Sequence, residues 1–507
     1  MDIDCVPLGN FMPQWNRQLA RDCARALRKP VKPAINAHDT NWRVFAGLAV
    51  DFAVDCAQGA PLWAGYENWN RRHFGHPLPI TEGDPGTGLS DTRLRHFVWR
   101  ALTAIDDDIL PSPDHPDVLT LTDVTAAFFA KKQPLPVISR LLDFQHAPHP
   151  QIFDVKRKMV SLGMSSYFFR DCYHSYIEKL VKKENLIGVT DDFLFQAHTS
   201  WSGMRVVDLA AEALDLPAAR REDLLAGGQR HFAPYRVDAI EKGGMRVKNL
   251  VTDAIYDIDL DMPPPFRRGD VVFGGLVPWD GRWQWSGAQR MIGSGASGEK
   301  AGLEIKETMK TTASKILCRY WPKYREQVMR LSNELLSEHL AYNGGRDLMI
   351  YPNPQAMEDD VNKFHGERYD RLVAAKKAKG GEGAEIPPRP TMAFPGDLRS
   401  SNEEIALFIN RSEGLELLKC YGWLRRALEK KGVGLSDDER EAACGFIQST
   451  AVSPAFVHRV LQDFPADAFK VVFGLPTDAP PYWLDWLLRC WKGEYYQPRY
   501  PCLSVTF

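Results

Sequence analysis

The sequence predicts an α+β fold: a mostly helical, multi-domain chain with a small five-stranded antiparallel β-barrel at its centre. Apolar residues recur at helical spacing on both sides of residues 233–292, whereas inside that segment they alternate with polar residues over short stretches. The length of 507 residues, at about 150 residues per domain, suggests about three domains. With 44% hydrophobic and 25% charged residues, the composition is that of a globular protein and excludes a wholly disordered chain, a collagen or a coiled-coil rod.

Residues 1–150 have the pattern of short helices joined by proline-rich turns. Between Trp42 and Cys56 most apolar residues lie three or four positions apart, so one helix face is apolar. Residues 151–232 continue the helical pattern with many aromatic side chains. We therefore expect two helical regions ahead of the barrel.

The barrel is predicted in residues 233–292. From Ala254 to Leu260 apolar residues alternate with polar ones, which is the period of two that a half-buried strand requires. Asp280-Gly281 is a strong hairpin signal, because both central positions of such a turn need positive φ. Five short strands bury little as a flat sheet, and closing them into a barrel removes the exposed edges.

Three regions are expected after the barrel. Residues 293–345 have the pattern of a basic helical stretch. Residues 346–400 read as a flexible linker or surface loop, because lysines, glycines and prolines cluster between positions 376 and 390. Residues 401–507 are predicted to form a C-terminal helical domain.

Two capping boxes support helices in that last region. Ser401 with Glu404, and Ser436 with Glu439, each place a hydroxyl three residues before a carboxylate. That spacing lets the two side chains satisfy amide groups at the start of a helix.

The charge balance and the cysteines limit the class of protein. Lys and Arg number 63 and Asp and Glu 65, so the chain lacks the strong positive charge of a dedicated nucleic-acid coat protein. The nine cysteines are scattered and never spaced as CxxC, which favours free thiols over disulfides or a thiolate zinc site. A reducing, cytoplasmic location is therefore expected.

Neither a secretory signal nor a membrane span is expected. The N-terminal residues carry no basic segment ahead of an apolar run. The longest apolar stretch, Val44 to Ala57, is interrupted by Asp51 and Asp55 and falls short of the roughly 20 residues that cross a bilayer.

A glycine run at residues 293–298 matches GxGxxG between a predicted strand and a predicted helix. Nucleotide binding is one interpretation, but Glu299 occupies the position of the phosphate-loop lysine and would repel phosphate. A flexible connector between barrel and helix is the favoured interpretation.

An acidic loop at residues 106–117 combines five aspartates with a histidine. Such side chains hold Mg²⁺, Mn²⁺ or iron when a fold fixes their geometry. The flanking prolines favour a solvated loop, so no metal site is predicted, and the sequence identifies no cofactor.

The most suggestive segment is the basic-aromatic stretch, Lys306 to Arg330. Cations that neutralise phosphate beside aromatic rings that stack on bases are typical of contacts to single-stranded nucleic acid. The alternative is a helix with a basic solvated face whose aromatic residues pack inward. The candidate contact residues are Lys310, Lys315, Arg319, Tyr320, Trp321, Lys323, Tyr324 and Arg325.

These observations predict an intracellular binding or scaffolding protein that contacts a macromolecular partner, either a nucleic acid or a protein. Neither GxSxG nor HExxH occurs in the chain, which disfavours familiar hydrolases. The alternative is an enzyme with an unfamiliar site that depends on a metal at residues 106–117 or a nucleotide at residues 293–298.

Overall fold

The chain forms two compact units. In the first, the described residues end at Pro322, and the second begins at Lys323. The computed structural model describes residues 14–31, 39–57, 61–78, 84–105, 112–133, 141–180, 186–260, 265–312, 314–378, 389–475, 479, 482–500 and 504–505.

Helices precede the barrel in the first unit, as the sequence predicts. They are α1 (Gln14–Val31), α2 (Asp39–Ala57), α3 (Pro61–Phe74), α4 (Asp91–Ile105), α5 (Pro116–Lys131), α6 (Leu141–His146), α7 (Ile152–Ser165), α8 (Arg170–Leu180), α9 (Leu186–Gln196), α10 (Val206–Ala213) and α11 (Ala218–Ala226). Aromatic rings fill much of their core. The ring centroids of Phe52 and Phe97 are 4.6 Å apart, and Trp63 lies 4.9 Å from both Phe52 and Phe168.

The predicted barrel is confirmed in outline. Its strands are β1 (Phe232–Glu241), β2 (Gly244–Asn249), β3 (Ile255–Asp259), β4 (Asp270–Trp279) and β5 (Arg282–Ser294). They close in the order β1-β2-β3-β5-β4. Because β4 returns to lie beside β1, the order β4-β1-β2-β3 is that of a Greek key.

The barrel is not antiparallel throughout, and that part of the prediction is wrong. Strands β3 and β5 run parallel, with Ile258 opposite Trp283. In a closed ring of five strands the direction cannot alternate all the way round, so at least one neighbouring pair must be parallel.

The tight turn between β4 and β5 is confirmed. Asp280 has φ 56° and Gly281 has φ 73°, and Trp279 pairs with Arg282 across the turn. After β5 come α12 (Gly295–Thr312) and α13 (Ser314–Tyr320). Helix α12 packs on β1, β4 and β5.

The second unit combines helices with a small sheet. Its elements are α14 (Pro322–Tyr342), β6 (Leu348–Tyr351), α15 (Pro354–Ala378), α16 (Gly396–Arg399), β7 (Ile405–Asn410), β8 (Gly414–Leu418), α17 (Tyr421–Glu429), α18 (Asp437–Gln448), α19 (Pro454–Leu461), α20 (Ala466–Val472), α21 (Tyr482–Lys492) and β9 (Ser504–Val505). The strand order is β6-β7-β8-β9, and only the β8–β9 pair is parallel.

Two sequence-based expectations differ from this arrangement. Residues 346–400, predicted as a linker or surface loop, contain β6 and the 25-residue helix α15. Residues 401–507, predicted as helical, begin with β7 and β8. Helices α14 and α15 and the strands β6, β7 and β8 share one hydrophobic core. Its buried residues are Leu336, Met349, Met357, Val361, Ile405, Leu407, Ile409 and Leu417.

One of the two predicted capping boxes is confirmed. The Ser436 amide donates to Glu439 at 2.9 Å, and the Glu439 amide donates to the Ser436 hydroxyl at 3.3 Å. The other prediction is wrong, because Ser401 and Glu404 precede strand β7 and no helix begins there.

Candidate nucleic-acid interface

The structure divides the basic-aromatic stretch between the two units. Helices α12 and α13 belong to the first unit, and α14 belongs to the second from Lys323 onward. The eight candidate residues are therefore divided between the two units. Lys310, Lys315, Arg319, Tyr320 and Trp321 lie in the first unit, and Lys323, Tyr324 and Arg325 lie in the second.

Tyr320 contacts residues of the first unit through both its hydroxyl and its ring. Its hydroxyl donates to the carbonyl of Gly228, and its ring stacks on His231 with centroids 5.6 Å apart and planes 9° apart. The Arg319 guanidinium donates to the same hydroxyl at 3.4 Å. This tyrosine therefore fastens α13 beside the start of the barrel, and one face of its ring is covered.

Trp321 and the lysines of α12 are also engaged. The ammonium of Lys306 lies 4.8 Å from the centroid of the Trp321 ring and donates to the Leu250 carbonyl at 3.4 Å. Lys310 pairs with Glu307 at 2.7 Å. The side chain of Lys315 lies outside the described part of the chain.

The first half of α14 differs from α12 and α13, because its cations are exposed and form no ion pair with a described carboxylate. Lys323, Arg325 and Arg330 point to solvent, and none of the described carboxylates lies in an ion pair with them. Glu326 is the one acidic residue among them. Cations in this state keep their full positive potential for an external anion.

Most other cations of the second unit have carboxylate partners. Glu338 binds both Arg368, at 3.4 Å, and Arg371, at 2.9 Å. Further pairs are Arg389–Asp370, Arg399–Glu358, Arg425–Glu404, Arg426–Glu403, Lys430–Glu439, Lys431–Asp467, Arg459–Asp347 and Arg499–Glu413. Exposed cations without a described carboxylate partner also occur elsewhere in the unit, as at Lys363 and Arg411, but the start of α14 concentrates three of them within eight residues.

Helices α14 and α15 run antiparallel. Tyr342 donates to Asp360 at 2.9 Å, His339 stacks on Phe364 at 4.2 Å, and Glu338 reaches Arg371. Moving back along α14 therefore means moving forward along α15. The first half of α14 and the last turns of α15 consequently lie at the same end of the pair.

We call this end the basic end of the α14–α15 pair; it comprises Lys323, Arg325, Arg330, Lys376 and Lys377. The last eight residues of α15, 371–378, carry no carboxylate. Two leucines are exposed in the same region, Leu331 at 49% and Leu372 at 51%.

The glycine run joins β5 to α12 directly. Gly293 lies in β5 and Gly298 in the first turn of α12, and their backbones touch, so neither position has room for a side chain. Close packing of helix on barrel accounts for the spacing of these two glycines.

The acidic loop is only partly described. Asp106, Asp107 and Asp108 lie outside the described residues, whereas Asp114 pairs with Arg95. His115 caps α5 by accepting from the Asp117 amide at 3.3 Å. Within the described ranges, no group of three or more His, Cys, Asp or Glu residues is arranged to hold a metal ion.

Sequence reasoning missed a buried pair of carboxylates on α2. Asp51 and Asp55 are 4% and 3% exposed, and burial raises the pKa of Asp51 to about 7 and that of Asp55 to about 8. The signal was available, because two acids four residues apart interrupt an otherwise apolar helix face.

Comparison with protein-family models, with curated proteins and with solved structures found no match to this chain. Among the helices that the structure describes, none combines the length and apolar character needed to cross a membrane.

Proposed function

We propose that the protein binds nucleic acid through the basic end of the α14–α15 pair. One observation carries the proposal: Lys323, Arg325 and Arg330 are exposed and close together, and none of them has an ion-pair partner among the described carboxylates, whereas more than half of the unit's other cations do. Phosphate contacts by such cations release counterions, and that release drives sequence-independent binding.

Single strands fit this surface better than duplexes. Leu331 and Leu372 offer exposed apolar area near the cations, and Tyr324 lies half-buried at the start of α14. Unpaired bases present faces that pack on apolar and aromatic groups, whereas a duplex hides those faces in its stack.

The barrel offers a weaker surface, although small Greek-key barrels often bind nucleic acid. The similarity to such barrels concerns the fold alone, and a shared fold does not establish a shared function. On its outer face Arg246 pairs with Asp257 at 2.8 Å, and Arg282 lies 3.8 Å from Asp259. A phosphate would have to displace these carboxylates, so the second unit is favoured.

A cytoplasmic location forms part of the proposal. The seven cysteines among the described residues are free thiols, as expected in a reducing compartment.

The test is titration of a labelled single-stranded oligonucleotide at several salt concentrations, with the matching duplex as a second probe. Replacing Lys323, Arg325 and Arg330 together by alanine should reduce the slope of log affinity against log salt by about 2, at about 0.7 for each lost phosphate contact. The matched control, Lys323→Arg with Arg325→Lys and Arg330→Lys, keeps the charge and should keep the slope.

Two results count against the proposal. One is no binding by the unaltered protein near about 50 mM salt, where phosphate contacts remain strong. The other is an equal slope for the alanine variant and the unaltered protein. Tighter binding of the duplex would refute the single-strand preference alone.

A further inference from the structure

The buried carboxylates of α2 hold a distant turn in place. Asp55 accepts hydrogen bonds from the Ser166 hydroxyl at 2.7 Å and from the Tyr167 amide at 2.9 Å. Asp51, one helical turn earlier, pairs with Arg170 at the start of α8. The turn between α7 and α8 is therefore fastened to α2 by these two side chains.

The charges of the side chains that join α2 to the α7–α8 turn do not balance. Asp51 and Asp55 face a single buried cation, Arg170, and the neighbouring Asp171 adds a further negative charge at the surface. Two carboxylates one turn apart in a low-dielectric interior repel each other unless one of them is protonated.

Among the described residues of α1, α3 and α4, no second cation pairs with either carboxylate, and the buried face of α1 carries no charged side chain. Glu67 of α3 and Arg93 of α4 form their own bidentate pair, at 2.6 and 2.9 Å. His96 of α4 is buried beside Arg100, and its pKa is lowered to about 3, so the imidazole is neutral at physiological pH.

We propose that Asp51 and Asp55 hold at least one proton between them in the folded protein near neutral pH, and that this protonation keeps the α7–α8 turn bound to α2. Complete deprotonation leaves two negative charges against one guanidinium. The turn then opens more often, because opening lets water reach the second carboxylate. The contact between α2 and the α7–α8 turn is therefore pH-sensitive, and this property does not depend on any nucleic-acid binding.

The direction of the pH effect follows from the shifts. An exposed aspartate ionises near 3.8, whereas burial raises the pKa of these two groups to about 7 and about 8. Because the closed form holds the proton more tightly, its stability is greatest at low pH. That stability falls as pH rises toward about 8 and then levels off.

Amide hydrogen exchange of the intact protein tests this, with each rate divided by the intrinsic rate at that pH. The Tyr167 amide is the direct reporter, since it donates to Asp55. Its opening constant should rise at least tenfold per pH unit between about pH 5 and 7, because opening releases at least one proton. Asp55→Asn should weaken the rise, because the amide still accepts hydrogen bonds but does not titrate, and Asp51→Asn combined with Asp55→Asn should abolish it.

Glu67→Gln is the matched control, since it alters a buried carboxylate that has its own arginine; the rise at Tyr167 should persist. A flat opening constant in the unaltered protein, or an undiminished rise in Asp55→Asn, would overturn the proposal. Carboxyl-carbon NMR titration of the unaltered protein gives a second readout that needs no variant. Two aspartates fully ionised at pH 6 would refute the proposal.

Discussion

Gly298 of α12 packs directly on the backbone of Gly293 in β5: a Cβ at Gly298 would lie 2.7 Å from the carbonyl carbon of Gly293 and 2.9 Å from its oxygen. Backbone atoms cannot move aside as the end of a flexible side chain can. The spacing of these two glycines, which resembles a dinucleotide fingerprint, is thus what a close crossing of helix and strand requires.

Gly298→Ala should therefore destabilise the first unit. The added methyl group has to push α12 away from the barrel, and overpacking of this kind costs about 1–3 kcal/mol. Chemical denaturation measures the change in unfolding free energy. Ala296→Ser, at an exposed position in the same turn, should change it by less than about 0.5 kcal/mol. Equal stability of Gly298→Ala and the unaltered protein would show that the crossing is looser than the structure has it.

The hairpin turn offers a second test of the barrel. Gly281 has φ 73°, and a β-branched residue is strongly disfavoured there, so Gly281→Val should cost about 1–3 kcal/mol. Asp280→Asn is the control, because asparagine suits the first central position of the same turn. It loses only a surface ion pair with Arg220, which contributes little. Similar melting temperatures for the two variants would contradict the assigned turn.

A third prediction separates packing from base stacking at α13. Trp321→Ala removes the ring beneath Lys306 and should lower the unfolding free energy by about 1–3 kcal/mol. Tyr320→Phe loses the hydrogen bond to Gly228 and should cost about 1 kcal/mol. Trp321→Phe keeps a ring under the ammonium and should recover part of the loss. Unchanged stability together with weaker oligonucleotide binding would instead restore the stacking role predicted from the sequence.

The barrel was predictable because its signals are local. Alternation from Ala254 to Leu260 and the pair Asp280-Gly281 each act over a few residues. Strand β7 was missed because it is buried along its whole length and shows no alternation. Helix α15 was missed because its last turns contain the lysines that suggested a linker.

The candidate site was less predictable, because whether a cation has a carboxylate partner depends on the three-dimensional fold and not on the local sequence. In the sequence, Lys310 and Arg330 look alike, yet Lys310 meets Glu307 and Arg330 meets no described carboxylate. The contribution of Lys376 and Lys377 depends on the antiparallel packing of α15 on α14, which no local pattern encodes.

The last prediction concerns Lys492 in the second unit. Its side chain is fully buried, and its ammonium donates to the carbonyl of Ser449 at the end of α18. A cation suits the negative end of a helix, and the nearby carboxylates of Glu416 and Glu494 favour the charged form. Burial nevertheless outweighs these effects and lowers the pKa of Lys492 to about 7.

Stability should therefore rise with pH in the alkaline range. In the unfolded chain the lysine keeps its proton up to about pH 10.5, whereas the folded protein releases it above about 7. Between these values the unfolded state binds more protons, so the unfolding free energy increases with pH, by at most about 1.4 kcal/mol per unit from this group. Lys492→Met, which does not titrate, should lose that slope in denaturation measured from pH 7 to 10. Lys363→Met, which alters an exposed lysine of α15, should retain it. Removing a group that releases its proton on folding must change how the unfolding free energy depends on pH. Parallel plots of unfolding free energy against pH for Lys492→Met and the unaltered protein would therefore mean that the Lys492 ammonium keeps its charge in the fold.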